Sequence, residues 1–282
     1  MSSGILYFAK GATFVEEAVL SAQQVTNVMP EVPITIVTDR EPDAECFEEV
    51  LFDTSEFTKR NKPQAMRRTP YDRTIYLDTD TYVNEPIDEL FDLLEAFELG
   101  LRRNKSAMHV SRVGNADPNA EVPESFPEFN SGVIPYRKTA AVWDLLREWE
   151  RLCLPDHGWD QRSLRPALYG SSVRFTSIPN RYNCMYRNDN VVSGTVKVFH
   201  GPLVTRGQNR VGLQEAREKL NRSTDSRLHY VYGNRLFVNP SPPLLAKPWL
   251  VASQVSDLLR NRGAHATAQL VLHKLLGGRG TG

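Results

Sequence analysis

One short stretch of this chain combines residue types able to do chemistry. The apolar run Arg73-Thr-Ile-Tyr-Leu77 leads directly into Asp78-Thr79-Asp80. A short apolar run bounded by polar residues predicts a buried strand. In open α/β sheets, ligands bind beyond the carboxyl ends of the strands, where this pair falls. Side chains two residues apart on an extended backbone point the same way, so Asp78 and Asp80 can share a face. Two adjacent carboxylates repel, and a divalent cation relieves that repulsion. A pair of aspartates at a surface turn is the plain alternative.

The elements around this pair read as a parallel α/β arrangement. Ile5-Leu-Tyr-Phe-Ala9 predicts a first strand. Apolar residues at 14, 15, 18, 19, 22 and 25 predict a helix, with Thr13 and Glu16 spaced as a capping box. Ile34-Thr-Ile-Val-Thr38, ending at Asp39, and Val50-Leu-Phe52 predict further strands. Strand–helix–strand at this spacing favours a parallel sheet. Beyond the pair the pattern predicts a helix over 87–97 and a proline-rich loop over 104–128. A glycine-containing strand over 129–134 and helices over 139–152 and 159–168 follow. Further strands are expected over 173–178 and 195–199, the last ending at His200. Residues 201–243 read as irregular and polar.

The expected domains are 1–243 and a basic amphipathic helical tail, 244–282. In the tail, Lys247, Arg260, Arg262, Lys274 and Arg279 stand against one acid, Asp257. Val251, Val255, Leu258 and Leu259 fall on one helical face.

Composition narrows the possibilities. The 282 residues carry 34 Lys plus Arg and 34 Asp plus Glu, giving zero formal charge, which argues against a whole-chain nucleic-acid binder. Cys46, Cys153 and Cys184 are far apart with no CxxC spacing, so a disulfide scaffold or zinc knuckle is not expected and a reducing compartment is. No apolar run is long enough for a spanning helix. The first ten residues lack a basic and apolar leader pattern, so no signal peptide is expected. A cytoplasmic protein follows, with the inner membrane face as a peripheral site.

Two enzyme classes place paired carboxylates at a strand end. In haloacid-dehalogenase-like phosphatases Asp78 would be the phosphoryl-accepting nucleophile. That class needs a downstream lysine and a later acidic pair, and its motif normally follows the first strand of the chain. In nucleotide-sugar glycosyltransferases the pair holds a metal on the donor diphosphate. The ordered set here is Lys62, Asp78-x-Asp80, Phe129-Asn-Ser-Gly-Val133, Asp160-Gln161, Pro179-Asn-Arg-Tyr-Asn183 and His200-Gly-Pro. Over roughly residues 4–206 this set resembles the family-8 retaining glycosyltransferases, the group that includes glycogenin and lipooligosaccharide galactosyltransferases.

The resemblance implies a GT-A fold, a Rossmann-like mixed sheet with helices. It implies Asp78, Asp80 and His200 as ligands of Mn²⁺, with Mg²⁺ as the alternative. Arg206 takes the place of the family's lysine on the leaving diphosphate, although His200-Gly-Pro-Leu-Val-Thr-Arg206 lacks the glycine usual in that loop. Lys62 would contact the donor. Asn130 and Asp160 would bind donor-sugar hydroxyls, Gly132 would permit close backbone approach, and Gln161 would sit near the anomeric carbon. Ala9 and Asp39 end the strands that in the family bind uracil and ribose. The family's polar signature there is replaced by Ala9-Lys-Gly-Ala-Thr-Phe14.

The implied reaction moves a sugar from a UDP-sugar to a glycan or lipid-linked hydroxyl acceptor. Anomeric configuration is retained, and no protein nucleophile is named. A catalytically idle sugar-nucleotide binder is the remaining alternative. For the tail, packing on the catalytic domain or a second subunit comes first, an anionic membrane next, and disorder third.

Overall fold

Strand β1 (Ser3–Ala9) is covered on both sides, with Ile5, Tyr7 and Ala9 in one apolar cluster and Leu6 and Phe8 in another. Strands buried on both faces read as near-continuous apolar runs and belong at the centre of a parallel sheet. The computed structural model describes residues 1–58, 60–104, 122–153, 160–185, 191–193, 195–201, 228–232 and 235–238. They lie within one unit, Met1–Val238; the second unit, Asn239–Gly282, lies outside the described residues.

In β1 and its neighbours β2 (Ile34–Thr38), β3 (Glu49–Phe52) and β4 (Arg73–Leu77), all pairings are parallel, in the order β3-β2-β1-β4. After β4 come β5 (Thr81–Val83), β6 (Leu99–Arg103), β7 (Phe129–Asn130) and β8 (Val133–Arg137). The main sheet continues β4-β8-β6-β7 through antiparallel pairs, and β9 (Phe175–Ser177) joins β6 in parallel.

Helices cover both faces. On one side, α1 (Ala12–Val28) contributes Val15, Ala18, Ala22 and Val25, and α3 (Glu89–Ala96) contributes Leu90 and Phe91. On the other lie α2 (Asn61–Met66), α4 (Ala140–Leu152) and α5 (Gln161–Tyr169), with Trp149 of α4 fully buried. Truncating such a tryptophan costs about 3–5 kcal/mol. The result is a three-layer α/β/α domain with a mixed sheet.

Four departures from the sequence reading have physical causes. Helix α1 starts at Ala12 and is capped at Gly11, not Thr13. Gly11 takes φ +88, which a residue without Cβ adopts cheaply, and its N–H is satisfied by the Asp39 carboxylate at 3.1 and 3.2 Å. Phe14, assigned to the buried stripe, is exposed. The glycine-containing strand breaks into β7 and β8, because Asn130 Oδ1 accepts the Gly132 N–H at 2.9 Å and turns the chain between them.

The fourth departure lies in the segment read as irregular. It holds β13 (Leu228–Tyr232) and β14 (Arg235–Val238), paired antiparallel, with β13 also paired to β11 (Val191–Ser193). Aromatic and β-branched runs flanking Gly233-Asn234 carry this hairpin signal locally, while the average composition around them is polar. Among the described residues no helix is long and apolar enough to cross a membrane. Arg206, the tail 244–282 and most of the 104–128 loop lie outside the described residues.

Candidate active site and metal centre

Strand β4 delivers Asp78 and Asp80 to the carboxyl edge of the main sheet, and the chain then enters β5. That strand pairs antiparallel with β12 (Val198–His200), in the register His200 opposite Thr81, and β12 pairs with β10 (Cys184–Met185). This small second sheet brings His200 to the aspartates. The Gly201 N–H donates to the Asp80 carbonyl at 2.8 Å, and the Asp78 N–H to the Gly132 carbonyl at 2.8 Å, which locks the crossing.

His200 Nε2 stands 3.1 Å from Asp80 Oδ1 and 3.9 Å from Asp78 Oδ2. One ligand atom from each of the three residues lies within 4.8 Å of the others. Two carboxylate oxygens and one imidazole nitrogen form a donor set that suits a hard or borderline divalent cation. The backbone is shaped for it: a Cβ on Gly132 would lie 2.1 Å from His200 Cε1 and 2.9 Å from Nε2. The imidazole occupies the place a side chain there would take. The residues present therefore fit a divalent ion.

A second cluster shares Asp78. Lys62, on the short helix α2, puts Nζ 2.7 Å from Asp78 Oδ1, 3.3 Å from Asp160 Oδ2 and 3.2 Å from Ser131 Oγ. Tyr76 donates its hydroxyl to the same Asp78 Oδ1 at 2.9 Å. Asp78 is thus divided, with Oδ1 tied to Lys62 and Tyr76 and Oδ2 turned toward His200. Asp160 sits at the N-cap of α5 but makes no side-chain cap bond. Its carboxylate accepts from Ser131 at 3.1 Å and pairs with Lys62, while its carbonyl accepts the Trp149 indole N–H at 2.8 Å. Tertiary pairing has replaced helix capping at this acid.

Electrostatics follow the geometry. Burial alone pushes the Asp80 carboxyl up, but the His200 and Lys62 charges outweigh it and hold it below its usual value. Burial pushes the His200 imidazole down; the charges of Asp80 first and Asp78 second reverse this and raise it. Lys62 is likewise raised, with Asp160 and then Asp78 overcoming burial. Asp160 is lowered, since Lys62 and the Ser131 hydroxyl overcome its burial. Asp78, Asp80 and Asp160 thus share a network of ion pairs with Lys62 and His200. Burial first, and Asp78 second, raise the Tyr76 hydroxyl far above its ordinary value, keeping it a neutral hydrogen-bond donor.

Asn130 and Gln161 also converge here. Asn130 Nδ2 donates to Gln161 Oε1 at 3.0 Å, and Gln161 Nε2 donates to Glu128 Oε1. Glu128 in turn accepts from Asn104 at 3.2 Å. Ala9 and Asp39 end neighbouring strands, with Ala9 in register with Thr38. Tyr7 pairs with Leu77, so Ala9 stands one strand over from the paired aspartates on the same sheet edge. Asp39 is held below its ordinary value chiefly by hydrogen bonding from Arg40.

The structure thus brings together Lys62, Asp78, Asp80, Asn130, Asp160, Gln161 and His200. Gly132, expected to admit a close backbone approach, admits the His200 ring. Tyr76, Glu128, Ser131 and Asn183 are partners the sequence reading did not single out. Ser131 and Asn183 lie inside quoted motifs, which was the available signal.

No family model and no curated protein sequence matches the chain. Solved structures do. The chain is similar to the galactosyltransferase LgtC, solved in complex with donor and acceptor sugar analogs, at 13% identity and a TM-score of 0.55, over 87% of this chain and 99% of that one. It is also similar to the apo form of mouse xyloside xylosyltransferase 1, at 15% identity and a TM-score of 0.52, over 74% of this chain and all of that one. At such low identity the likeness concerns architecture, and the architecture of this chain is the GT-A fold of those glycosyltransferases.

Proposed function

We propose that this protein is a metal-dependent glycosyltransferase that moves a sugar from a nucleotide-diphosphate donor, a UDP-sugar, to a hydroxyl acceptor with retention of configuration. The observation that carries this reading is the convergence of Asp78, Asp80 and His200, from distant strands, around a backbone that excludes a side chain at Gly132. The GT-A fold supplies the context.

Asp78 Oδ2, Asp80 and His200 Nε2 would hold the cation, Mn²⁺ or Mg²⁺. When bound, the cation supplies Lewis-acid stabilisation of the departing diphosphate. The chain's own residues do the rest. Lys62 holds Asp78 and Asp160 in place by direct contact, so the carboxylate facing the donor sugar is oriented before substrate arrives. Gln161 is fixed at both ends of its carboxamide, by Asn130 and Glu128, which sets its angle toward the anomeric centre. Ala9 and Asp39 would meet the nucleoside. Arg206 would meet the diphosphate. No nucleophile is assigned, and the departing phosphate takes the acceptor proton.

A thermal-shift panel of nucleotide sugars, with and without Mn²⁺, tests this. A ligand at 100 times its Kd adds about 2.7 kcal/mol, or a melting shift of roughly 5–11 °C. The expected result is stabilisation by a UDP-sugar only with the cation, together with sugar release that Asp80→Ala abolishes in a folded protein. Cation-independent stabilisation, full turnover by Asp80→Ala, or phosphomonoester hydrolysis with fluoroberyllate trapped on Asp78 would each overturn it.

A further inference from the structure

His200 has a second nitrogen, and its surroundings are more tightly specified than those of the first. His200 Nδ1 lies 2.9 Å from Asn183 Oδ1, in a region where Asn183 is wholly buried and Asn130 nearly so. Asn183 Nδ2 donates to Asn130 Oδ1 at 2.7 Å, and the same Asn130 oxygen accepts the Gly132 backbone N–H at 2.9 Å. Asn183 stands at the entry to β10, whose pairing with β12 sets its carboxamide beside the ring.

This chain of contacts has one end whose chemistry cannot be reversed. A backbone N–H is always a hydrogen-bond donor. The atom of Asn130 that meets it must therefore be the oxygen. That same oxygen faces Asn183, so Asn183 must present its NH₂ there. A carboxamide is planar with oxygen and nitrogen on opposite sides, which puts the Asn183 oxygen against His200. An amide oxygen only accepts, so the hydrogen must sit on Nδ1.

We infer that Asn183 is a positioning residue: with Asn130 and the Gly132 amide it fixes the His200 ring in the Nδ1–H form and aims the Nε2 lone pair at the gap shared with Asp78 and Asp80. A neutral imidazole in the opposite form would place a hydrogen at Nε2, where a cation needs electrons. Asn130 serves two sides at once, because its Nδ2 also holds Gln161 Oε1. One buried amide therefore couples the orientation of the metal-side imidazole to that of the glutamine.

This inference rests on the cation site of the proposed function, and two measurements separate the failure of one from the failure of the other. The first uses full-length, metal-free, ¹⁵N-histidine-labelled Asp80→Ala protein at alkaline pH, which removes the carboxylate 3.1 Å from Nε2 that would itself hold a hydrogen there, with long-range proton–nitrogen correlation and an added His200→Gln change for assignment. The expected result is a protonated Nδ1 and an unprotonated Nε2 for His200. A hydrogen on Nε2, or rapid averaging between the two, overturns the inference.

The second measures affinity for Mn²⁺ alone by titration calorimetry, comparing wild type with Asn183→Leu. Loss of such an outer partner is expected to weaken binding about 10–100-fold. Equal affinity in the two proteins overturns the inference while leaving the cation site intact. The expected tautomer in the first measurement but no affinity of the wild-type protein for Mn²⁺ would sink the cation reading instead. If Asn183→Leu does not fold, the Asp80→Ala spectrum alone decides.

Discussion

Replacing Gly132 by alanine is the most discriminating perturbation of this site. The added Cβ would lie 2.1 Å from His200 Cε1 and 2.6 Å from Nδ1. Carbon atoms pack at roughly 3.5–4.0 Å, so the ring must retreat by about 1.4 Å. It has little room, being pinned through Nδ1 to buried Asn183 and only 6% exposed. Metal–ligand distances tolerate about ±0.2 Å, so a displacement of this size removes the imidazole as a ligand. The expected fall in Mn²⁺ affinity is at least about 100-fold, the upper end for loss of an outer-shell partner.

Gly132 does not have a positive φ, so alanine suits its backbone and the cost is steric alone. Overpacking of this kind costs about 1–3 kcal/mol, or roughly 2–12 °C in Tm. Calorimetric titration with Mn²⁺ and a thermal melt of the metal-free protein read both effects. Gly11→Ala is the control: it strains a φ of +88 and lowers stability by about 1–2 kcal/mol, but it touches no ligand and should leave Mn²⁺ affinity unchanged. Wild-type Mn²⁺ affinity in a folded Gly132→Ala protein would refute the assignment of His200 to the cation.

Three further outcomes follow from the same contacts. The folded His200 value lies above 6.5 and that of Asp80 below 3.8, so their pairing stabilises metal-free protein fully between those values. It is lost as pH rises through the raised imidazole value or falls through the lowered carboxyl value, while Mn²⁺, competing for the proton on Nε2, binds up to about tenfold tighter per pH unit until His200 is neutral; flat affinity from pH 6 to 9 would contradict this. Lys62→Met leaves Asp78 and Asp160 without their shared cation, so denaturant melts should show a loss of about 3 kcal/mol, while calorimetry shows tighter Mn²⁺ binding; no change in either would mean the ion pairs are inert. Gln161→Ala should lower sugar transfer with UDP affinity nearly intact, and a large loss of UDP binding would show that this side chain serves the nucleotide instead.

Much of the scaffold was legible along the chain. Strands β1, β2 and β4 appeared within two residues of their ends, because a strand buried on both faces is written as a short continuous run of apolar and β-branched residues. The Asp78-x-Asp80 pair was visible for the same reason, as a local change from apolar to acidic at a strand end. The position of α2, and so of Lys62, was not, since a six-residue helix packed by Ala65 and Met66 has too few turns to show a stripe. Residue type alone placed a glycine at 132 and an acid at 160. It did not say that the glycine makes room for an imidazole or that the acid abandons its helix for a lysine.

Those decisions belong to contacts between distant segments. His200 faces the aspartates because β12 takes one particular register on β5, and a shift of one residue would turn it to the other face. The direction of every amide from Gly132 to His200 follows from one backbone N–H meeting Asn130, a contact set by the turn between β7 and β8. Side-chain chemistry is carried by single residues, whereas its direction comes from partners supplied only when the chain closes on itself.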